Sequence, residues 1–313
     1  MHINAKKDKK SKTKNLIKYF ATKYLMRKPK KEYYLEWEAE KIFINLKNGA
    51  KLRILYYPAI AKSENTLNIV YNSGFNSYVF VWLESVEELR KKHNIYFIET
   101  REKEFCEMLE NNQDYSVPIL SEDFKYTLDE LGLDISKCVF TGSSIGSNGI
   151  LLSMNKYHLK PFLAVLATPM AIMERSKLID TTLWIPFFVA QLLRPFFYLL
   201  ITIKFRNDKF QVKTIKHGVS RMLKKKSMAW LRLNPLSKPY VMSEEHTKNL
   251  PSPIVIVNPE ADKTHDSDLM TKIEAFLPKA KFITVPVNSD THNKRFAMII
   301  LDEIENQRNK KEN

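Results

Sequence analysis

The stretch Cys138-Val139-Phe140-Thr141-Gly142-Ser143-Ser144-Ile145-Gly146-Ser147-Asn148-Gly149-Ile150 runs from an apolar segment, through a cluster of small residues, into a helical run that reaches Asn155. The chain has only seven glycines in 313 residues, and three of them, Gly142, Gly146 and Gly149, fall here. In a glycine-poor chain such clustering marks backbone that must turn tightly or be approached closely. Cys138–Thr141 reads as a strand and Ile150–Asn155 as a helix. Between them, Gly142 to Gly146 fits G-x-S-x-G, a pattern that is weak alone and gains meaning from this strand–turn–helix setting. Glycines on both sides let the turn sharpen until the Ser144 hydroxyl stands clear of the sheet edge. The backbone N–H of Ile145, at the helix N-terminus, then points towards a developing oxyanion.

The same texture extends outward in both directions. Lys41–Leu46 and Lys51–Tyr57 flank Asn48-Gly49, a hairpin signal. Leu67–Tyr71 is an apolar strand ending at Asn72-Ser73-Gly74, Trp82–Lys92 is helical, and Ile95–Ile98 is a buried strand. Ser116–Leu131 is an amphipathic helix closed by Gly132. Downstream lie strands Phe162–Ala167, Ile254–Val257 and Phe282–Val285, then a helix from Phe296 to about Gln307. After the opening hairpin, strands and helices alternate, which predicts an α/β fold with a mostly parallel, doubly wound sheet. The length suits one large α/β domain or two ordinary ones.

On these residues the chain resembles the α/β-hydrolase superfamily, over roughly residues 40–168 and 250–306. Leu67–Tyr71 followed by Asn72-Ser73-Gly74-Phe75 is similar to the strand and His-Gly loop that supply the second oxyanion donor, here the N–H of Phe75. Ile95–Ile98 followed by Glu99-Thr100-Arg101 is similar to the strand and turn usually written Asp-x-Arg-Gly. The resemblance implies a Ser–acid–His triad in that chain order. Asp262 stands at the usual offset after Ile254–Val257, with Glu260, Asp266 and Asp268 as competitors. His292 follows Phe282–Val285, and His265 is its rival. In this scheme Ser144 attacks, His292 takes and returns its proton, and Asp262 orients the imidazole. Three positions depart from the family pattern: Ser73 replaces a frequent His, Ser143 does likewise, and Thr100–Glu102 lacks the usual glycine.

Residues 169–250 interrupt the alternation, and the resemblance makes them a helical cap inserted before the acid-bearing strand. The chain thus divides into a basic extension (1–40), the first part of the core (41–168), the cap (169–250) and the second part of the core (251–313). Thr181–Ile203 carries one charge, Arg194. It is long enough for a membrane span, but Pro186 and Pro195 divide it, so two shorter helices are at least as plausible. Because Ser144 precedes this segment and Asp262 and His292 follow it, a single crossing would separate the triad. The expectation is a hydrophobic cap, an interfacial helical pair or a re-entrant hairpin. Trp184, Phe187, Phe188 and Phe196 are candidates to line an apolar substrate pocket, to dip into lipid, or simply to pack the cap.

The charge is uneven. The chain carries 50 Lys+Arg and 35 Asp+Glu, net +15. Residues 1–31 hold 12 basic and 1 acidic side chain, residues 201–240 hold 11 and 1, and the remainder is net −6. Residues 13–27 read as a basic amphipathic helix or a solvated tail. A basic flank beside an apolar stretch suits an anionic membrane surface. No zinc-finger, helix-turn-helix or RNA-binding signature accompanies the charge, which argues against a specific nucleic-acid partner. Two cysteines, Cys106 and Cys138, exclude a disulfide scaffold and a Cys-based zinc site. No signal-peptide pattern is present, so a cytoplasmic location, with peripheral membrane attachment, is expected. No metal or organic cofactor is implied.

The activity implied is cleavage of an ester or thioester of a lipophilic acyl substrate through an acyl-serine. Two alternatives stay open: acyl transfer with the same triad, and a noncatalytic protein that binds lipid or protein at a membrane.

Overall fold

The computed structural model describes residues 36–312, apart from 76, 109–113, 174–184, 207–211, 213–214, 217–218, 221–239, 252 and 261–266. The chain divides into two compact units, Met1–Glu38 and Ala39–Asn313. The amphipathic segment read at 13–27 lies outside the described residues.

The second unit is built on one sheet. Its strands are β1 (Glu40–Asn45), β2 (Ala50–Tyr57), β3 (Asn68–Asn72), β4 (Asn94–Ile98), β5 (Glu107–Met108), β6 (Cys138–Ser143), β7 (Leu163–Ala167), β10 (Ile254–Pro259) and β11 (Lys281–Val285). Between β7 and β10 the chain forms a separate antiparallel pair, β8 (Ile172–Met173) with β9 (Tyr240–Val241). The large sheet has the order β1-β2-β4-β3-β6-β7-β10-β11, with β5 on β2. β1, β2 and β5 pair antiparallel, and every neighbour from β4 to β11 pairs parallel. The six parallel strands β3, β4, β6, β7, β10 and β11 therefore end at one sheet edge. That edge carries Ser73, Ser144, Thr168 and the loops that follow β10 and β11.

Central strands read as continuous apolar runs because helices cover both faces. The helices are α1 (Leu83–Leu89), α2 (Val117–Glu130), α3 (Ile145–Tyr157), α4 (Phe187–Lys204), α5 (Ser267–Phe276) and α6 (Lys294–Glu312). Val70, Phe140, Ala164, Leu166 and Ile256 form one core with Phe124 and Leu128 of α2 and Ile150, Leu151 and Met154 of α3. The alternate residues face the other way, where Tyr71 meets Trp82 and Trp82 meets Phe296 of α6. Gly132 ends α2 at φ 60°, a left-handed position that glycine takes without Cβ strain.

The parallel sheet agrees with the sequence reading, and two helices differ from it. α3 starts at Ile145 rather than Ile150, and α4 is one helix that continues through Pro195 rather than two divided there. Pro186 sits at its N-cap, where a missing N–H does no harm. Pro195 is tolerated because it lies on the exposed side.

Candidate active site

Ser144 sits between the last residue of β6 and the first of α3, at φ 50° and ψ −125°. A non-glycine residue here is strained by about 1–3 kcal/mol and persists only where its surroundings enforce it. Those surroundings are visible. Ser144 N–H donates to Ala167 O at 3.0 Å, tying the turn to β7, and the Ser147 hydroxyl donates to the same carbonyl at 2.9 Å. The two glycines of the motif are needed for close approach. A Cβ at Gly142 would lie 2.3 Å from Asn72 O, and one at Gly146 would lie 2.1 Å from the same atom and 2.7 Å from Ser73 O. The turn is thus pressed against the end of β3.

That packing places the loop after β3 beside the serine. A Cβ on Gly74 would meet Ser143 O at 2.9 Å and Ser144 Cβ at 3.5 Å, so the Gly74–Phe75 peptide lies directly against the turn. Ile145, as the first residue of α3, has an N–H without an intrahelical acceptor. The two candidate oxyanion donors, Phe75 and Ile145, therefore flank Ser144. Phe75 also packs, with Met170 and Tyr240, on an apolar cluster of Val117, Leu120, Ile145 and Leu152.

His292 follows a 3-10 turn, Asn288–Thr291, between β11 and α6. Its ring lies 4.3 Å from that of Trp82, centroid to centroid. Withdrawal of the ring from water lowers the imidazole pKa to about 4, opposed by a contact with the Asn288 carbonyl. Part of the residue still reaches solvent, so the drop follows from packing of the ring rather than from full enclosure. Nδ1 is 2.7 Å from Thr291 Oγ1, and that hydroxyl donates to Asn288 O at 2.7 Å. In the tautomer protonated at Nδ1, that N–H donates to Thr291 Oγ1 and Nε2 is left to take a proton. A run of contacts links His292 to the serine: Trp82 Nε1 donates to Ser77 Oγ at 2.9 Å, and Ser77 N–H donates to Gly74 O at 3.1 Å.

Ser144 and His292 share no hydrogen bond. Ser144 Oγ donates instead to Met170 Sδ at 3.1 Å. Met170 is clamped there by Asn148 of α3, whose side chain donates to Met170 O at 2.7 Å and accepts from Met170 N–H at 2.8 Å. The chain reaches this position through Thr168, a β-branched residue at φ 42°. Met170, Asn148, Thr168 and Thr291 are site residues that sequence reasoning missed. The only prior signal was a polar Asn148 within a small-residue helix start.

Asp262 and its competitor Asp266 lie outside the described residues, as do His265 and Trp184. Glu260 is exposed at the end of β10. Phe187, Phe188 and Phe196 are exposed on α4. Cys106 and Cys138 are buried free thiols, each pushed up to about 12 by loss of water. Among the described residues no cluster of side chains could hold a metal ion.

The Glu99–Lys103 turn closes without the family glycine because no residue in it takes positive φ. Paired charges hold it instead. Glu99 binds Arg53 through two hydrogen bonds of 2.7 Å, and Arg101 binds Asp123 through two of 2.6 Å.

No protein-family model matches the sequence, and no curated protein does. Solved structures match over most of their length. A carboxylesterase from Bacillus subtilis has a TM-score of 0.66 at 13% identity, covering 86% of this chain and 93% of that one. A thermophilic esterase from Thermogutta terrifontis scores 0.64 at 16% identity, over 86% and 99%. A membrane phospholipase A, described as a bacterial virulence factor, scores 0.64 at 13% identity, over 89% of each chain. With its sheet order, its glycine-bracketed turn at Ser144 and these neighbours, the chain has the α/β-hydrolase fold.

Proposed function

We propose that this protein is a serine hydrolase that cleaves an ester or thioester of a lipophilic acyl group through an acyl-serine intermediate. The observation that carries the reading is Ser144 held at φ 50° between β6 and α3, with the Ile145 N–H and the Gly74–Phe75 peptide on either side. Ser144 Oγ attacks the acyl carbon, the carbonyl oxygen becomes an oxyanion between the N–H groups of Phe75 and Ile145, and His292 Nε2 takes the serine proton. The proton then passes to the departing alcohol or thiol, and water repeats the sequence to release the acid. Asp262 is assigned the role of stabilising the imidazolium. The apolar cluster under Phe75, Met170 and Tyr240 favours an acyl chain over a polar one. Esterases and a phospholipase among proteins of the same fold support the class of bond.

The reading is tested by labelling with a fluorophosphonate probe. Wild type is expected to react at Ser144, and Ser144→Ala and His292→Ala are expected to lose the label. A folded wild type that stays unlabelled, with lipid vesicles present, refutes it. Hydrolysis of p-nitrophenyl esters of increasing length then ranks the chain preference.

An anionic membrane surface is the proposed site of action. On α4, Phe188, Leu192, Phe196, Leu199 and Ile203 fall within one narrow arc, opposite the buried Ala190, and are 55–79% exposed. Lys204 and Arg206 follow at the end of the helix, and the sequence to residue 240 continues the positive charge. Five large apolar side chains in one exposed row beside cations suit insertion among anionic headgroups. Flotation with vesicles containing anionic lipid is expected for wild type and lost in Leu192→Glu/Leu199→Glu. Equal flotation of the two would refute it.

A further inference from the structure

The Gly74–Phe75 peptide is gripped from behind by a buried cation. Lys103 is 0% exposed, and its ammonium spends all three donors: on Thr100 Oγ1 at 2.6 Å, Glu102 Oε1 at 3.0 Å and Gly74 O at 3.3 Å. The Tyr78 ring lies 5.8 Å from Nζ. Burying an ammonium costs several kcal/mol unless it is paired and hydrogen-bonded, and an apolar residue of the same length would avoid the need. The partners it has chosen include the one carbonyl that belongs to the same peptide unit as the Phe75 N–H.

We propose that Lys103 is a positioning residue of the oxyanion site: by binding Gly74 O it fixes and polarises the peptide whose N–H receives the oxyanion. The inference rests on the reading of Ser144 as the nucleophile. A trans peptide is planar, with its C=O and N–H directed oppositely, so a cation at the oxygen lies behind the N–H along the dipole. A charge-assisted bond at the carbonyl draws electron density from the nitrogen and strengthens the donor on the far side. The Ser77 N–H, at 3.1 Å from the same oxygen, adds to this. Glu102 balances the charge, but the ammonium is the member of the pair that touches the peptide. On its other side Gly74 packs against the turn as bare backbone, since a Cβ there would meet Ser143 O at 2.9 Å.

Lys103→Met alone leaves Glu102 buried without its cation, so the informative variant is Lys103→Met/Glu102→Gln, which removes both charges. It is expected to lower kcat on a p-nitrophenyl ester by about tenfold, since weakening a donor does less than the 10²–10³ lost on removing one. KM is expected to stay within about twofold, because the ground-state carbonyl leans little on the donor. Affinity for an acyl trifluoromethyl ketone, which becomes an oxyanion when Ser144 adds to it, is expected to fall by the same factor as kcat. Affinity for the matching methyl ketone is expected to hold. A purely structural role would lower both affinities together. In wild type labelled with 15N at lysine, one ammonium must exchange slowly with water and show a through-space contact to the Ser77 amide proton. Absence of that signal overturns the assignment even if the variants do not fold. A folded double variant with wild-type kcat and ketone affinity overturns this inference alone. A wild type unreactive to fluorophosphonate overturns the reading of Ser144 and this inference with it.

Discussion

The strain at Ser144 gives a prediction whose sign is opposite to ordinary experience. Replacing alanine by glycine usually destabilises a protein, because glycine has more unfolded freedom to lose, by about 0.4–1 kcal/mol. At φ 50° and ψ −125° the comparison should invert. A Cβ in such a conformation costs about 1–3 kcal/mol, which Ser144→Ala retains and Ser144→Gly relieves. Subtracting the entropy of glycine leaves from about 0 to about 2.6 kcal/mol, about 1.3 at the midpoint, in favour of Ser144→Gly. For a unit that runs from Ala39 to Asn313 each kcal/mol moves Tm by about 2–3 °C. Ser144→Gly should therefore melt several degrees above Ser144→Ala. Both variants lack Oγ, so the bond to Met170 Sδ drops out of the difference, and neither should take up fluorophosphonate. The assay is thermal and urea unfolding of the pair in one buffer. A glycine variant that melts at or below the alanine variant would show that the turn is not strained, and the argument that the fold forces Ser144 outward would fail.

Gly146→Ala should be far more damaging than its chemistry suggests, by about 3 kcal/mol or more, because the new Cβ meets backbone at 2.1 Å and the Ser73–Gly74 loop must retreat; unfolding and labelling rate together check this. Relief of strain should recur at Thr168, so Thr168→Gly is expected to lose little stability yet to slow labelling if the turn over Ser144 loosens. Asp262→Asn should slow fluorophosphonate labelling by well over tenfold, since the carboxylate is assigned to stabilise the imidazolium formed as Ser144 attacks; an unchanged rate would transfer the acid's role to another carboxylate. Because the folded-state pKa of His292 lies below its ordinary 6.5, the unfolded chain binds the extra proton first as pH falls from about 6.5 to 4. Stability should decline across that window, and His292→Phe should flatten the decline in pH-dependent urea midpoints.

The core strands were legible because burial on both faces writes them as unbroken apolar runs. β7 was read as Phe162–Ala167 and is Leu163–Ala167; β4 was read as Ile95–Ile98 and is Asn94–Ile98. The two-residue strands β5, β8 and β9 were not, since two residues carry no period. The start of α3 was hidden for a different reason. Ile145-Gly146-Ser147-Asn148-Gly149 has poor intrinsic helix propensity, and its helical form is imposed by packing against Asn72 and Ser73. Pro195 misled in the opposite direction. Its intrinsic penalty is real, but on an exposed side of α4 it bends no packed interface.

The candidate site divides along the same line. Ser144 and His292 could be nominated because order along the chain and position after a strand point to them, and both are properties of a sequence. Lys103, Asn148 and Met170 make their contacts across the fold. Asn148 matters because it reaches a backbone 22 residues away, and Lys103 because it reaches one 29 residues away. Neither type nor spacing announces such a partner. What the sequence did mark was an inconsistency: a Glu99–Lys103 turn without its glycine, carrying five consecutive polar or charged residues into a place that should be buried. The pairs Arg53–Glu99, Arg101–Asp123 and Glu102–Lys103 resolve it by satisfying each charge inside the protein. A chain that fills a buried turn with ions rather than a glycine has exchanged backbone freedom for fixed dipoles. Lys103 reaches the Gly74 carbonyl, and on the proposed reading its removal should register in kcat.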